Sequence, residues 1–197
     1  MLQDPINGFR HPLGVGHIDT ASLEAGLPEI RRAPQDAGTV ELIVRRPAPE
    51  KREVVAEAEL DPSAGLIGDN WLARGSRATA DGSAHPELQL TMMSARAAAL
   101  IARGRERWPL AGDQLYVDLD LSSANLPPGT RLMVGTAVIE ISDQPHTGCG
   151  KFVRRFGVDA MKFVNTELGR ELNLRGIYAR VVSGGTVRTG DVIRKSS

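Results

Sequence analysis

The alternation in LYVDLDL, residues 115–121, constrains this chain more than any other stretch. Leu115, Val117, Leu119 and Leu121 fall on one side of an extended backbone. Tyr116, Asp118 and Asp120 fall on the other, because successive strand side chains point to opposite faces. LPPGTRLMVGTAVIEIS follows, a Pro-Pro-Gly turn and then a long apolar strand in which Gly135 predicts a bend or bulge. Upstream, TVELIVRRP reads as a strand that Pro47 ends. KREVVAEAEL reads as a second strand, although its alanines and glutamates also suit a helix. GIYARVVSGG and TVRTGDVIRK close the chain as two strands, with turns at Gly184-Gly185 and Thr189-Gly190-Asp191. About seven short strands joined by turns predict a mainly β fold, a β-barrel with a few short helices rather than a doubly wound sheet.

Three helices are predicted. DTASLEAGL has Asp19 or Thr20 as its N-cap and is limited by Pro28 and Pro34. ARAAALIARG has Ser94 before it and Gly104 as the residue that ends it. VDAMKFVNTELGRELN carries Val158, Met161, Val164 and Leu168 at helical spacing. Residues 73–86 are small and polar and read as a surface loop. Residues 1–38 are expected to form an N-terminal arm with a short helix, and residues 39–197 one barrel domain, since no linker-like stretch divides the middle of the chain.

Composition narrows the function. Apolar residues make up 41% but aromatics only 4%, so the core must be aliphatic. Lys plus Arg and Asp plus Glu are equal at 24 each, which argues against a nucleic-acid or membrane-surface binder. A single cysteine cannot form an internal disulfide. No apolar run is long enough to span a bilayer, and the N-terminus lacks the apolar segment of a signal peptide. A cytoplasmic location is expected. Walker and dinucleotide-loop spacings, HExxH, paired CxxC and GxSxG are all missing.

That cysteine lies in QPHTGCGKFVRRFG, residues 144–157. It reads in two ways. An unpaired cysteine is often a small buried hydrophobe. If GKFVRRFG opens a helical turn, however, Cys149 sits at the helix start, where backbone N–H groups and the dipole favour a thiolate. Lys151, Arg154 and Arg155 add positive charge, and on a helix only one of the two arginines faces the thiol. His146 is a candidate base or ion-pair partner. Gly148 and Gly150 would let backbone approach a ligand closely. His11, His17, His85 and His146 are scattered and do not make a protein-ligated zinc site. Asp69 and Asp113 follow glycines and read first as turn stabilisers. Arg45-Arg46 reads as solvated surface.

The order of these segments is similar to that of the MOSC domain, the C-terminal domain of molybdenum cofactor sulfurases that also occurs as stand-alone bacterial proteins. The residues that carry the resemblance are IGDNW, AGDQLYVDLDLSSANLPPGTRLMVGTAVIEIS, the lone cysteine, and GIYARVVSGGTVRTGDVI, within residues 39–194. The resemblance implies a β-barrel with a cleft holding the cysteine. It also implies binding of the molybdenum cofactor or carriage of sulfur as a persulfide on Cys149, which would also be the metal ligand. Some relatives reduce N-hydroxylated compounds. On this reading Cys149 and His146 are catalytic, and Lys151, Arg154, Arg155, Asp113, Gln114 and Thr147 bind cofactor. The ligand is a small pterin or sulfur-bearing molecule, and the implied partners are a cysteine desulfurase or an electron-donor protein. Pro145-His146-Thr147-Gly148 departs from the arginine and proline many relatives carry there. The chain also lacks an aminotransferase-like desulfurase domain. A non-catalytic binding module with a structural cysteine is the third reading.

Overall fold

The computed structural model describes residues 16–196. Residues 1–15, His11 and the first part of the expected arm among them, lie outside the described residues. In chain order the strands are β1 (Ala37–Arg45), β2 (Glu53–Val55), β3 (Glu57–Asp61), β4 (Gly65–Leu66), β5 (Leu90–Ser94), β6 (Leu115–Asp118), β7 (Arg131–Val134), β8 (Ala137–Ile141), β9 (Ile177–Ser183), β10 (Gly185–Arg188) and β11 (Val192–Lys195). The helices are α1 (Thr20–Ala25), α2 (Leu27–Ile30), α3 (Trp71–Arg74), α4 (Ala95–Ala102), α5 (Gly150–Phe156), α6 (Val158–Asn165) and α7 (Glu167–Glu171).

Seven strands close into a barrel in the order β11-β7-β8-β9-β5-β6-β1, with β1 pairing back to β11. Closure leaves no unpaired edge in this ring. All these pairings are antiparallel except β5 with β6. A parallel pair needs a crossover, and α4 provides it. The predicted alternation holds: Leu115, Val117, Leu119 and Leu121 join Val40, Ile43, Leu132, Ile139 and Ile193 in the aliphatic barrel interior. Each such side chain contributes roughly 1.5–3 kcal/mol relative to exposure. Tyr116, on the opposite face, is also fully buried. It lies in a second core formed where α1, α4, α5 and α6 cover the barrel wall, with Leu23, Ala98, Ile101, Phe152, Phe156 and Phe163.

Four expectations are corrected. Gly135 does not bend one long strand. It takes φ 57 in a two-residue turn between β7 and β8, with Val134 opposite Ala137. The residue that ends α4 in the left-handed region is Arg103, φ 60, while Gly104 is extended. The predicted helix after residue 157 breaks at Thr166, whose hydroxyl caps the Gly169 N–H at 2.9 Å and starts α7. Val158 accordingly points to solvent. The C-terminal segment makes three strands, and β10 leaves the barrel to pair with β3, which pairs on its other side with β4. KREVVAEAEL is β-structure, split between β2 and β3. The caps Asp19 and Ser94 are as expected.

Candidate active site

Cys149 is the N-cap of α5. Its backbone is extended at φ −126 and ψ 178, and its carbonyl accepts the Val153 N–H at 3.1 Å. The thiol is exposed. Asn165 on α6 fixes the residue before it. The Gly148 N–H donates to Asn165 Oδ1 at 3.0 Å, and Asn165 Nδ2 donates to the Gly148 carbonyl at 3.2 Å. A Cβ on Gly148 would lie 3.0 Å from Val164 Cγ2, so this glycine admits α6 rather than a ligand. Gly150 has open space around it. Partial burial pushes the thiol up. The backbone N–H groups of Phe152 and Lys151, then Arg175 and Arg155, outweigh it and bring the thiol below its ordinary value.

The floor is the turn Leu110–Asp113, where Gly112 takes φ 93. Three successive carbonyls of this turn each accept from a different arginine. Arg155 Nη1 donates to Leu110 O at 2.8 Å, Arg175 Nη2 to Ala111 O at 2.9 Å, and Arg46 Nη1 to Gly112 O at 2.9 Å. The Asp113 carboxylate is fully buried and accepts from Arg175 Nη1 at 2.7 Å. Arg175 also lies over the Phe152 ring at 5.1 Å, which joins the floor to α5. His146 Nδ1 stands 3.7 Å from Asp113 Oδ1, and its ring packs on Tyr178 at 4.4 Å. Four buried polar atoms here have no hydrogen-bond partner: Asp113 Oδ1, His146 Nδ1, Arg175 Nε and Gln114 Nε2. A buried group in that state carries the cost of lost hydration. Burial and the charges of Arg175 and Arg46 hold the His146 imidazole well below its usual pKa. Burial pushes the Asp113 carboxyl up against the pull of Arg175, Arg46 and Arg52.

Two expectations fail at this floor. Arg46 is buried, not solvated surface, and binds Asp69 through Nε and Nη2 at 2.8 and 2.9 Å. Asp69 does cap its turn, accepting the Trp71 N–H at 3.0 Å, but it also neutralises that arginine. Asp113 is a buried ion-pair partner rather than a turn stabiliser.

The structure brings together most of the sequence candidates. Cys149, His146, Asp113 and Arg155 share the site. Gln114 lies beneath it and ties β6 to β5, accepting the Thr91 N–H at 2.8 Å through Oε1. Lys151 pairs with Glu50 at 2.8 Å, and Arg155 pairs with the same carboxylate. Thr147 is exposed on the same loop, and Arg154 is exposed without an ion pair among the described residues. Residue-by-residue reading missed Arg46, Arg52, Arg74, Glu50, Asn165, Arg175 and Tyr178. Arg52 and Arg74 make no ion pair among the described residues, and the Arg52 Nε is buried without a partner. Among the described residues no three His, Cys, Asp or Glu side chains form a metal-binding group, and no helix is long and apolar enough to cross a membrane.

Fold and site together define a small β-barrel that presents one activated thiol, at a helix start, above a buried arginine–carboxylate floor. The chain belongs to the MOSC domain family, whose sequence profile matches residues 84–194. Members of that family are implicated in molybdenum cofactor binding. Solved structures share the fold. YuaD from Bacillus subtilis superposes with a TM-score of 0.58 at 18% identity, covering 82% of this chain and 97% of its own. YiiM from Escherichia coli gives 0.53 at 21% identity, covering 81% and 70%. No curated protein matches in sequence.

Proposed function

We propose that this chain binds the molybdenum cofactor at Cys149, with the thiolate as the protein's ligand to the metal. The observation that supports this most is the exposed, acidified thiol above four buried polar atoms that lack partners. The donor set fits. A single thiolate, with no ligand cluster beside it among the described residues, suits a metal that arrives with its own pterin ligands, and soft sulfur suits molybdenum. Lys151, Arg155, Arg52 and Arg74 supply positive charge for the cofactor's phosphate, and Arg175 holds Asp113 in place beneath. His146 is neutral and forms part of the polar floor with Asp113. The bound metal would supply two-electron redox chemistry, as in the reduction of an N–O bond, with electrons from a separate donor protein.

Exposure of the sulfur favours a second reading, sulfur carriage. Here the Cys149 thiolate attacks the outer sulfur of a persulfide on a cysteine desulfurase. The donor's S–S bond breaks, the donor leaves as thiolate, and Cys149 keeps the persulfide. The two readings separate in one preparation. Protein made in a cofactor-synthesising host should hold stoichiometric molybdenum and release a fluorescent oxidised pterin, and Cys149→Ser should lose the metal while remaining folded. Absence of both molybdenum and pterin sinks the cofactor reading. A mass increase of one sulfur on Cys149 after incubation with a desulfurase then supports the carrier.

A further inference from the structure

Lys151 and Arg155, both on α5, are already engaged by one carboxylate. Lys151 Nζ holds one oxygen of the Glu50 carboxylate at 2.8 Å, and Arg155 Nη2 holds the other. The cation on Arg155 is fixed by the frame. Its Nη1 is bonded to Leu110 O, and its carbonyl accepts from Arg107. The carboxylate comes from elsewhere, the connection between β1 and β2, where Pro47 and Pro49 precede it. Glu50 takes φ 60, a left-handed conformation that a glutamate seldom adopts. Its side chain is 59% exposed, so nothing but the two cations holds it down.

Arg52 lies two residues further on. It feels the attraction of Glu50 and the repulsion of Arg155 and Arg46, and it has no ion pair among the described residues. Two cations therefore clamp a single carboxylate, and Arg52 adds to the positive field around it. A phosphate monoester, with two negative charges and three terminal oxygens, matches that set better than the carboxylate does.

We propose that the Glu50 carboxylate is a built-in occupant of a phosphate subsite beside Cys149, and that a ligand's phosphate monoester enters by displacing it. This rests on the reading of the Cys149 site as a ligand site and adds a gate to it. The gate lowers affinity for any lone anion and admits a ligand that also makes contacts at the thiol. Lys151 holds the Glu50 carboxyl near a pKa of about 2, so the occupant is charged at neutral pH.

Inorganic phosphate is the probe, because it tests the subsite without the pterin. Calorimetric titration at constant ionic strength should show Glu50→Gln binding phosphate about fivefold to tenfold tighter than the wild type, the scale of one near-surface charge contact. Adding Lys151→Gln to Glu50→Gln should abolish the gain. Equal affinity of Glu50→Gln and wild type overturns the proposal; so does a gain that survives Lys151→Gln, which would mean that Lys151 forms no part of the subsite, and so does a gain lost equally on adding Lys162→Gln, an exposed lysine of α6, which would reflect net charge alone. If Glu50→Gln gains phosphate affinity but the wild type never carries molybdenum, the subsite stands and the cofactor reading falls. If molybdenum loads but Glu50→Gln gains nothing, the gate falls alone.

Discussion

Asp113 and His146 meet at 3.7 Å in the floor of the site, both buried, with no hydrogen bond between Oδ1 and Nδ1. Arg175 already neutralises the carboxylate through its other oxygen. A second positive charge on the imidazole would sit beside Arg175 and Arg46, out of water. The histidine is therefore neutral, and the pair forms a polar, half-satisfied surface rather than an ion pair.

This fixes a pH signature. A histidine whose folded pKa lies below its unfolded value takes up a proton more readily when unfolded. Its contribution is complete above the unfolded pKa of about 6.5 and is lost as pH falls below it, at up to about 1.4 kcal/mol per pH unit. Urea unfolding between pH 7.5 and 5.5 should show His146→Gln losing about 1 kcal/mol less than wild type over this range. Parallel curves for the two proteins would mean that His146 takes up its proton as readily in the fold as in the unfolded chain.

The Asp113–Arg175 contact should be expensive to break from one side. Asp113→Asn leaves a buried guanidinium without its counter-charge, which typically costs about 3–5 kcal/mol. A fall of that size in unfolding free energy is expected from chemical denaturation. Arg175→Met added to Asp113→Asn should recover part of it, because the second change removes the orphaned charge. A loss under about 1 kcal/mol in Asp113→Asn would show that water reaches the pair.

These partners also mark where the sequence stops being legible. The alternation at 115–121 and the caps Asp19 and Ser94 are local patterns, so they could be read directly. Cys149 at a helix start was legible for the same reason. Arg175 lies 62 residues from Asp113, and Arg46 lies 23 from Asp69, and no short-range signal joins either pair. Burial of Tyr116 follows from helices docking on the barrel wall, which strand periodicity does not encode. Gly135 was singled out correctly as a backbone special case. A bulge and a hairpin turn both favour glycine, and only the register of β7 against β8 separates them.

Gly176 should be far less replaceable than Gly190, though both have positive φ, 101 and 92. Around Gly190 there is open space, so Gly190→Ala carries only the left-handed strain of about 1–2 kcal/mol. A Cβ at Gly176 would lie 2.5 Å from Met92 O and 3.3 Å from Asp113 Oδ1. It would push β9 from β5 and disturb the site floor. Gly190→Ala should therefore fold with a modest fall in Tm, and Gly176→Ala should be insoluble or lose several times more. Equal behaviour would contradict the close approach at Met92.

The thiol itself makes the last prediction. Backbone N–H groups at the start of α5, with Arg175 and Arg155, favour the charged form of Cys149 against the opposing effect of burial. The midpoint of iodoacetamide alkylation against pH should then fall below the value of about 8.5 for a free cysteine. Arg155→Gln should raise that midpoint, since it removes a cation that acts on the sulfur. Arg154→Gln should not, because Arg154 is exposed and is not among the charges acting on Cys149. The two adjacent arginines thus separate a directed electrostatic effect from a general loss of positive charge. If both substitutions move the midpoint equally, net charge and not the geometry of α5 sets the reactivity of this cysteine.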